Sequence, residues 1–120
     1  MKVLIVDDSR AMRRIVVRTL RQAGYGHLSL VEAGDGTEAW NLIQDERPEL
    51  VLSDWNMPGM SGLDLLRELR ATGDQVPFGF VTSEGSAQTR EEAEAAGALF
   101  LIAKPFDAEA FRDALAPVLG

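Results

Sequence analysis

The stretch V-L-S-D-W-N-M-P-G-M-S-G, residues 51–62, decides the fold because a buried strand ends there in a carboxylate. The apolar run 50–53 predicts a short strand that is covered on both faces. Asp54 follows this strand directly, and a proline and two glycines then turn the chain sharply. Ligands of open α/β sheets bind outside the carboxyl ends of the strands, so Asp54 is a candidate site residue. An isolated aspartate at this position would more often only cap the following turn.

Apolar runs and helical periods alternate five times along the chain. Strands are predicted at residues 3–6, 28–31, 50–53, 78–82 and 99–102, and a helical pattern follows each of them. This alternation predicts an α/β fold, a doubly wound parallel sheet with right-handed crossovers between two layers of helices. Ser9 and Ser61 are predicted helix N-caps. The first helix is expected to end at Gly24, and Pro117 is expected to end or kink the last helix near Ala116.

Composition and charge limit the classes of function. A chain of 120 residues fits one domain, residues 1–120, without a separate output domain. It contains no cysteine, which excludes disulfides and thiolate metal sites. The apolar run after Met1 and Lys2 is too short for a signal peptide or a membrane span, so we expect a cytoplasmic protein with no membrane partner. The net charge of −7 disfavours nucleic-acid binding and suits a divalent cation or a basic protein.

Polar side chains lie at the ends of four of the five predicted strands, namely Asp7 and Asp8, Asp54, Thr82 and Ser83, and Lys104. Because the carboxyl ends of parallel strands share one edge of the sheet, these groups are expected to meet. Three carboxylates at one place repel unless a cation neutralises them, and oxygen ligands with open positions for water favour Mg²⁺. Each group alone has a simpler explanation, such as a helix N-cap or a surface ion pair. The prediction of a site therefore depends on all of these groups occurring at the same edge of the sheet.

Four motifs lie at these strand ends: V-D-D-S-R-A-M-R-R-I-V at 6–16, S-D-W-N-M-P-G-M-S-G-L-D-L-L at 53–66, V-T-S-E at 81–84 and A-K-P-F at 103–106. Together they resemble the receiver domains of two-component response regulators, most closely the single-domain chemotaxis regulators of the CheY type. The resemblance covers residues 2–119. It implies a flavodoxin-like (βα)5 fold with strand order 2-1-3-4-5.

The resemblance also implies a role for each site residue. Asp54 would be the phosphoacceptor. The magnesium ligands would be Asp7, Asp8, Asp54 and the backbone carbonyl of Asn56, with Asp7 acting largely through water. Thr82 would hydrogen-bond the phosphoryl group and Lys104 would pair with it. Asn56 and Glu84 occupy positions that tune dephosphorylation in this family.

The partners implied by the resemblance are proteins. A histidine kinase would donate the phosphoryl group, and a downstream target would bind the surface formed by the fourth helix, fifth strand and fifth helix. A phosphatase is a further partner, and the domain itself would be a monomer. It would not be an enzyme in the ordinary sense, although it would have intrinsic phosphotransfer and autodephosphorylation activity.

Three positions depart from the pattern of the CheY-type regulators. Leu101 stands where these regulators carry an aromatic residue, with Phe100 one position away, so an altered readout is expected. Ser83 replaces the usual alanine but is still small, so access to the site should be preserved. Gly79 lies inside the fourth strand, and the sequence offers no reason for it.

Two other functions compete with the receiver hypothesis. A phosphohydrolase of the haloacid-dehalogenase type also forms an aspartyl phosphate, but it carries D-x-D after its first strand and this chain has D-D-S. A pseudo-receiver would bind partners without phosphate, which the complete acceptor set disfavours. The first helix also carries five arginines at positions 10, 13, 14, 18 and 21, which form either a solvated face or a docking face for an acidic partner.

Overall fold

The computed structural model describes residues 1–119, in which five strands alternate with five α-helices. The strands are β1 (Lys2–Val6), β2 (Ser29–Ala33), β3 (Leu50–Ser53), β4 (Phe78–Thr82) and β5 (Phe100–Ala103). The helices are α1 (Arg10–Leu20), α2 (Gly36–Glu46), α3 (Gly62–Ala71), α4 (Ala87–Ala96) and α5 (Ala108–Leu119), and a π-helical turn, Arg21–Tyr25, extends α1. None of these helices is both long and apolar enough to cross a membrane.

All five strands are parallel in the order β2-β1-β3-β4-β5, which confirms the predicted flavodoxin-like topology. Val6 is level with Ser53 in the register of β1 and β3. The two strands therefore end together, and the Asp54 amide donates to the Val6 carbonyl at 2.9 Å. At the other side of the sheet, the Lys104 amide donates to the Thr82 carbonyl at 2.8 Å. These bonds fix the starting point of each loop at the carboxyl edge.

Two apolar clusters, one on each face of the sheet, hold the three layers together. Leu4, Val6, Phe78 and Phe80 pack with residues of α2, α3 and α4 on one face, whereas Val3, Ile5, Val81 and Ile102 pack with residues of α1 and α5 on the other. The alternation follows from the two-residue period of a strand. Every residue of β3 and β4 is buried, as expected for central strands covered on both faces.

Side-chain caps start the helices where the sequence predicts them. The Ser9 hydroxyl accepts a hydrogen bond from the Met12 amide at 3.1 Å, and the Ser61 hydroxyl accepts one from the Asp64 amide at 3.1 Å. Such a cap satisfies one of the free amides of the first turn. Both predicted N-caps are confirmed.

Several predicted boundaries differ from the structure by a few residues, including that of the second strand, which was predicted at 28–31 and spans Ser29–Ala33. The α-helical part of the first helix ends at Leu20, and the wider turn after it contains Gly24 at φ 97°, a conformation that favours glycine. The fifth strand starts at Phe100, and Leu99 before it is 56% exposed. Helix α5 continues through Pro117 to Leu119. So close to the helix end, proline removes only one backbone bond, which the packing of Leu115 and its neighbours outweighs.

Cross-strand packing explains Gly79. Gly79 is paired with Phe100 in β5, and a Cβ at Gly79 would lie 2.2 Å from Cε1 of that ring. The Phe100 ring thus occupies the space of a side chain on β4. Phe100 packs on the α1 and α5 face, whereas Leu101 packs on the opposite face with Phe80. Phe100 therefore does not take the position of an aromatic residue at 101.

Helix α4 is the least firmly packed of the five α-helices. It buries one residue, Ala93, whereas α3 buries five. Alanine and glutamate dominate its sequence and offer little apolar surface. A helix with so few buried contacts is expected to move at low energetic cost.

Candidate functional site

Three aspartates from two strand ends form an acidic pocket at the carboxyl edge of the sheet. Each of Asp7, Asp8 and Asp54 contributes a carboxylate oxygen, and these oxygens all lie within 4.8 Å of one another. Asp7 is buried, Asp54 is half-buried and Asp8 is exposed. The pocket is thus open to solvent on the Asp8 side.

Local hydrogen bonds orient the two less exposed carboxylates. Oδ1 of Asp7 accepts the Ser9 amide at 2.9 Å, and Oδ1 of Asp54 accepts the Trp55 amide at 2.7 Å. The Oδ2 atoms of both residues face the Lys104 ammonium, at 3.1 Å from Asp7 and 3.5 Å from Asp54. Lys104 therefore bridges the two carboxylates and places a positive charge beside them.

Burial raises the pKa of the Asp54 carboxyl above its usual range. The positive charge of Lys104 lowers this pKa, and the negative charge of Asp7 raises it. Hydrogen bonds from the Trp55 amide and the Thr82 hydroxyl also lower it. The ionised form of Asp54 is thus destabilised by its surroundings. An additional cation in the pocket would stabilise it.

The structure also brings together three of the predicted residues from the neighbouring loops. Thr82 is completely buried, and its hydroxyl accepts the Glu84 amide at 3.1 Å. The Asn56 side-chain amide donates to the Glu84 carboxylate at 3.3 Å. Asn56 and Glu84 are both exposed, so they form the rim of the pocket rather than its floor. Ser83 is also exposed and small, consistent with an accessible site.

Comparison with known proteins gives the family. The model of the response regulator receiver domain matches residues 3–116. The chain belongs to this family. The receiver domain is 41% identical to a CheY homolog of Campylobacter jejuni over 123 residues, which covers the whole chain and 93% of that protein. It is 39% identical to chemotaxis protein CheY1 of Helicobacter pylori, with 98% of that protein covered.

Solved structures agree with this result. Chemotaxis protein CheY4 of Vibrio cholerae is 37% identical and superimposes with a TM-score of 0.84 over 98% of both chains. The signal receiver domain of a putative NarL response regulator from Mycobacterium tuberculosis is 26% identical, with a TM-score of 0.85 over 97% of this chain. The chain is thus a CheY-like receiver domain, consistent with chemotaxis two-component signalling. It is a signalling domain of a kind that works with histidine kinases and downstream targets, not a classical enzyme.

The acidic pocket of the receiver domain fits a magnesium ion. Its donor set is entirely oxygen, and only one lysine offsets three carboxylates. Mg²⁺ prefers such ligands and retains water at open positions, which the exposed Asp8 side allows. Receiver domains bind Mg²⁺ at a pocket of this kind.

Arg13 supports the pocket, a role that its place among the five arginines of the first helix did not indicate. Its guanidinium donates to the Asp7 carbonyl at 2.6 Å and to the Glu32 carboxylate at 3.0 Å. Arg13 is partly buried, unlike Arg14 and Arg18 on the same helix. It thus holds the loop that carries Asp7 and Asp8. The one sequence feature that could have indicated this role is Glu32, an acidic residue in the second strand. Only the tertiary structure shows that Glu32 faces this helix.

Proposed function

We propose that this receiver domain accepts a phosphoryl group on Asp54 from a phosphohistidine of a histidine kinase, with Mg²⁺ as the required cofactor. The observation that carries the proposal is the pocket itself, in which Asp54 lies beside Asp7, Asp8 and Lys104. Little else is needed from a protein in phosphoryl transfer, because positioning and charge stabilisation provide most of the catalysis.

Asp54 is suited to act as the nucleophile. The Trp55 amide holds Oδ1, which leaves Oδ2 facing Lys104 and the pocket. In the proposed reaction a bond forms between an Asp54 oxygen and phosphorus as the phosphorus–nitrogen bond of the phosphohistidine breaks, and the leaving imidazole takes up a proton. Lys104 then stabilises the charge on the phosphoryl oxygens.

Asp7, Asp8, Asp54 and the Asn56 carbonyl would hold the Mg²⁺ ion, whose charge would offset that of the carboxylates and the phosphoryl oxygens. Thr82 would donate its hydroxyl to a phosphoryl oxygen. Because the Glu84 amide is bonded to that hydroxyl, movement of Thr82 would also move the loop that leads into α4. Asn56 and Glu84 at the rim would set the lifetime of the aspartyl phosphate, through autodephosphorylation or a phosphatase.

The proposed output surface is the face formed by α4, β5 and α5. A groove between α4 and β5 is lined by Arg90, Ala93, Leu99 and Leu101, among others. Leu99 is one of two large apolar side chains that are exposed within residues 1–119, the other being Met1. An exposed leucine beside a loosely packed helix supports a protein target that binds this face of a monomer. Chemotaxis-type signalling is the context that its CheY relatives suggest.

Phosphorylation with labelled acetyl phosphate tests the acceptor. Wild-type protein should be labelled with Mg²⁺ and unlabelled with EDTA, and Asp54→Asn should abolish labelling while circular dichroism shows an intact fold. Asp113→Asn removes an equal charge from an exposed position on α5 and should label normally. Undiminished labelling of Asp54→Asn would refute the proposal.

A further inference from the structure

Helix α4 is connected to the rest of the domain by one arginine near each end. At its carboxyl end, the Arg70 guanidinium of α3 donates to the Gly97 carbonyl at 3.3 Å. Near its amino end, Arg90 of α4 itself reaches outward in two directions. Between them the helix buries only Ala93. These polar connections therefore supplement the small apolar contact of α4.

The Arg90 guanidinium joins the loop before α4 to the edge strand of the sheet. Its Nε donates to the Gly85 carbonyl at 3.3 Å, and its Nη1 donates to the Leu101 carbonyl at 3.2 Å. The loop also lies close to β5, because a Cβ at Gly85 would be 3.1 Å from that of Ala103. A planar guanidinium holds both acceptors in a fixed relation, which a lysine ammonium cannot do.

The other end of this loop is attached to the acidic pocket. The Thr82 hydroxyl lowers the pKa of the Asp54 carboxyl and accepts the Glu84 amide at 3.1 Å. Glu84 is the residue before Gly85. Thr82 lies beside Asp54 and is thus connected, through the Glu84 amide and the backbone of Glu84 and Gly85, to the carbonyl that Arg90 holds.

The side chain of Leu101 cannot take part in this polar series. It is aliphatic and packs against the apolar cluster on the α2, α3 and α4 face. Its backbone carbonyl is the group on β5 that Arg90 reaches. Arg90 therefore forms a polar link between the loop and this strand.

We infer that Arg90 is a positioning residue that transmits the state of Asp54 to β5 through the Gly85 and Leu101 carbonyls. The inference rests on the proposed function, because it needs a phosphoryl group on Asp54 to move Thr82 and its loop. When the loop moves, Gly85 carries the guanidinium with it, and the Leu101 peptide responds. Arg90 does not touch the acceptor site and has no role in the phosphoryl transfer itself.

Amide NMR spectra of the full chain, with and without Mg²⁺ and beryllofluoride, test the inference. In the wild type, activation should shift the amides of residues 82–85 and also those of Leu101 and Ile102. In Arg90→Gln the shifts at 82–85 should persist, while those at Leu101 and Ile102 fall to less than half. Taking the difference within each variant removes the effect of the substitution on the resting spectrum. Labelling by acetyl phosphate should not change.

Two further variants separate geometry from charge. Arg90→Lys keeps the charge but not the fork, so its response at β5 should stay low. Arg67→Gln removes an exposed arginine from α3 and should respond like the wild type. If Leu101 and Ile102 shift as much as in the wild type in Arg90→Gln or Arg90→Lys, while the loop also responds, the role of Arg90 is refuted and the proposed function stands. A wild-type loop that does not respond at all would refute the proposed function and the coupling with it.

Discussion

Replacing Asp54 by asparagine should stabilise the domain when no divalent cation is present. Asparagine keeps the shape of the side chain and the acceptor for the Trp55 amide, but it removes one of three clustered negative charges. The carboxylate oxygens lie within 4.8 Å of one another, and at an effective dielectric constant of about 20 two charges at that limit repel by roughly 3.5 kcal/mol. Asp54 has two such neighbours, Asp7 and Asp8.

The Lys104 interaction offsets much of this repulsion. At 3.5 Å the same relation gives an attraction of about 4.7 kcal/mol between Lys104 and Asp54, which the substitution removes. Solvent screens the charge of the exposed Asp8, which weakens its repulsion of Asp54. The substitution also removes the cost of burying a charge at residue 54, which favours the variant. A net stabilisation of about 2 kcal/mol follows, or an increase of about 1 M in the urea midpoint for a domain of this size.

Urea unfolding in EDTA, followed by far-ultraviolet circular dichroism, measures this difference at neutral pH. Because the pKa of Asp54 is raised in the folded state, its ionisation destabilises the wild type above that pKa. The advantage of the variant should therefore shrink as the pH falls through that pKa and Asp54 becomes protonated. Magnesium should stabilise the wild type more than the variant and so reduce the difference between their urea midpoints.

The control for total charge is Asp113→Asn, which removes one negative charge, as Asp54→Asn does, but from an exposed position on α5. Its urea midpoint should change little. A variant Asp54→Asn that is less stable than the wild type in EDTA would show that the Lys104 pair outweighs the carboxylate repulsion, and would refute the electrostatic argument.

Two other predictions concern packing and the environment of the pocket. Gly79→Ala would place a methyl group 2.2 Å from Cε1 of the Phe100 ring and should reduce the free energy of unfolding by about 1–3 kcal/mol. Adding Phe100→Ala should cost less than the sum of the single changes, as a double-mutant cycle would measure, and strict additivity would contradict the packing. The Trp55 ring packs against Phe80 at a tilt of 55°, with ring centroids 4.8 Å apart, and the Trp55 amide donates to Asp54. Its fluorescence should therefore change when Mg²⁺ binds. A magnesium-dependent change that survives in Trp55→Phe would place the cation elsewhere.

The sequence by itself determined the architecture and the residues of the pocket. Two-residue and 3.6-residue periods are local properties, so the order of strands and helices can be read directly from the chain. The carboxyl ends of parallel strands must share an edge, so Asp7, Asp8, Asp54 and Lys104 could be assigned to one place before any distance was known. The strand order followed from the motifs and was confirmed.

Only the tertiary structure decided how residues from distant segments contact one another. Gly79 makes sense only beside the Phe100 ring, and the bonds of Arg13 to Asp7 and of Arg90 to Leu101 cannot be read from a charge stripe or a helix pattern. Local periodicity gives the face on which a side chain lies but not the atom it meets. Such contacts depend on register and on the packing of helices on the sheet, which arise from the whole chain at once.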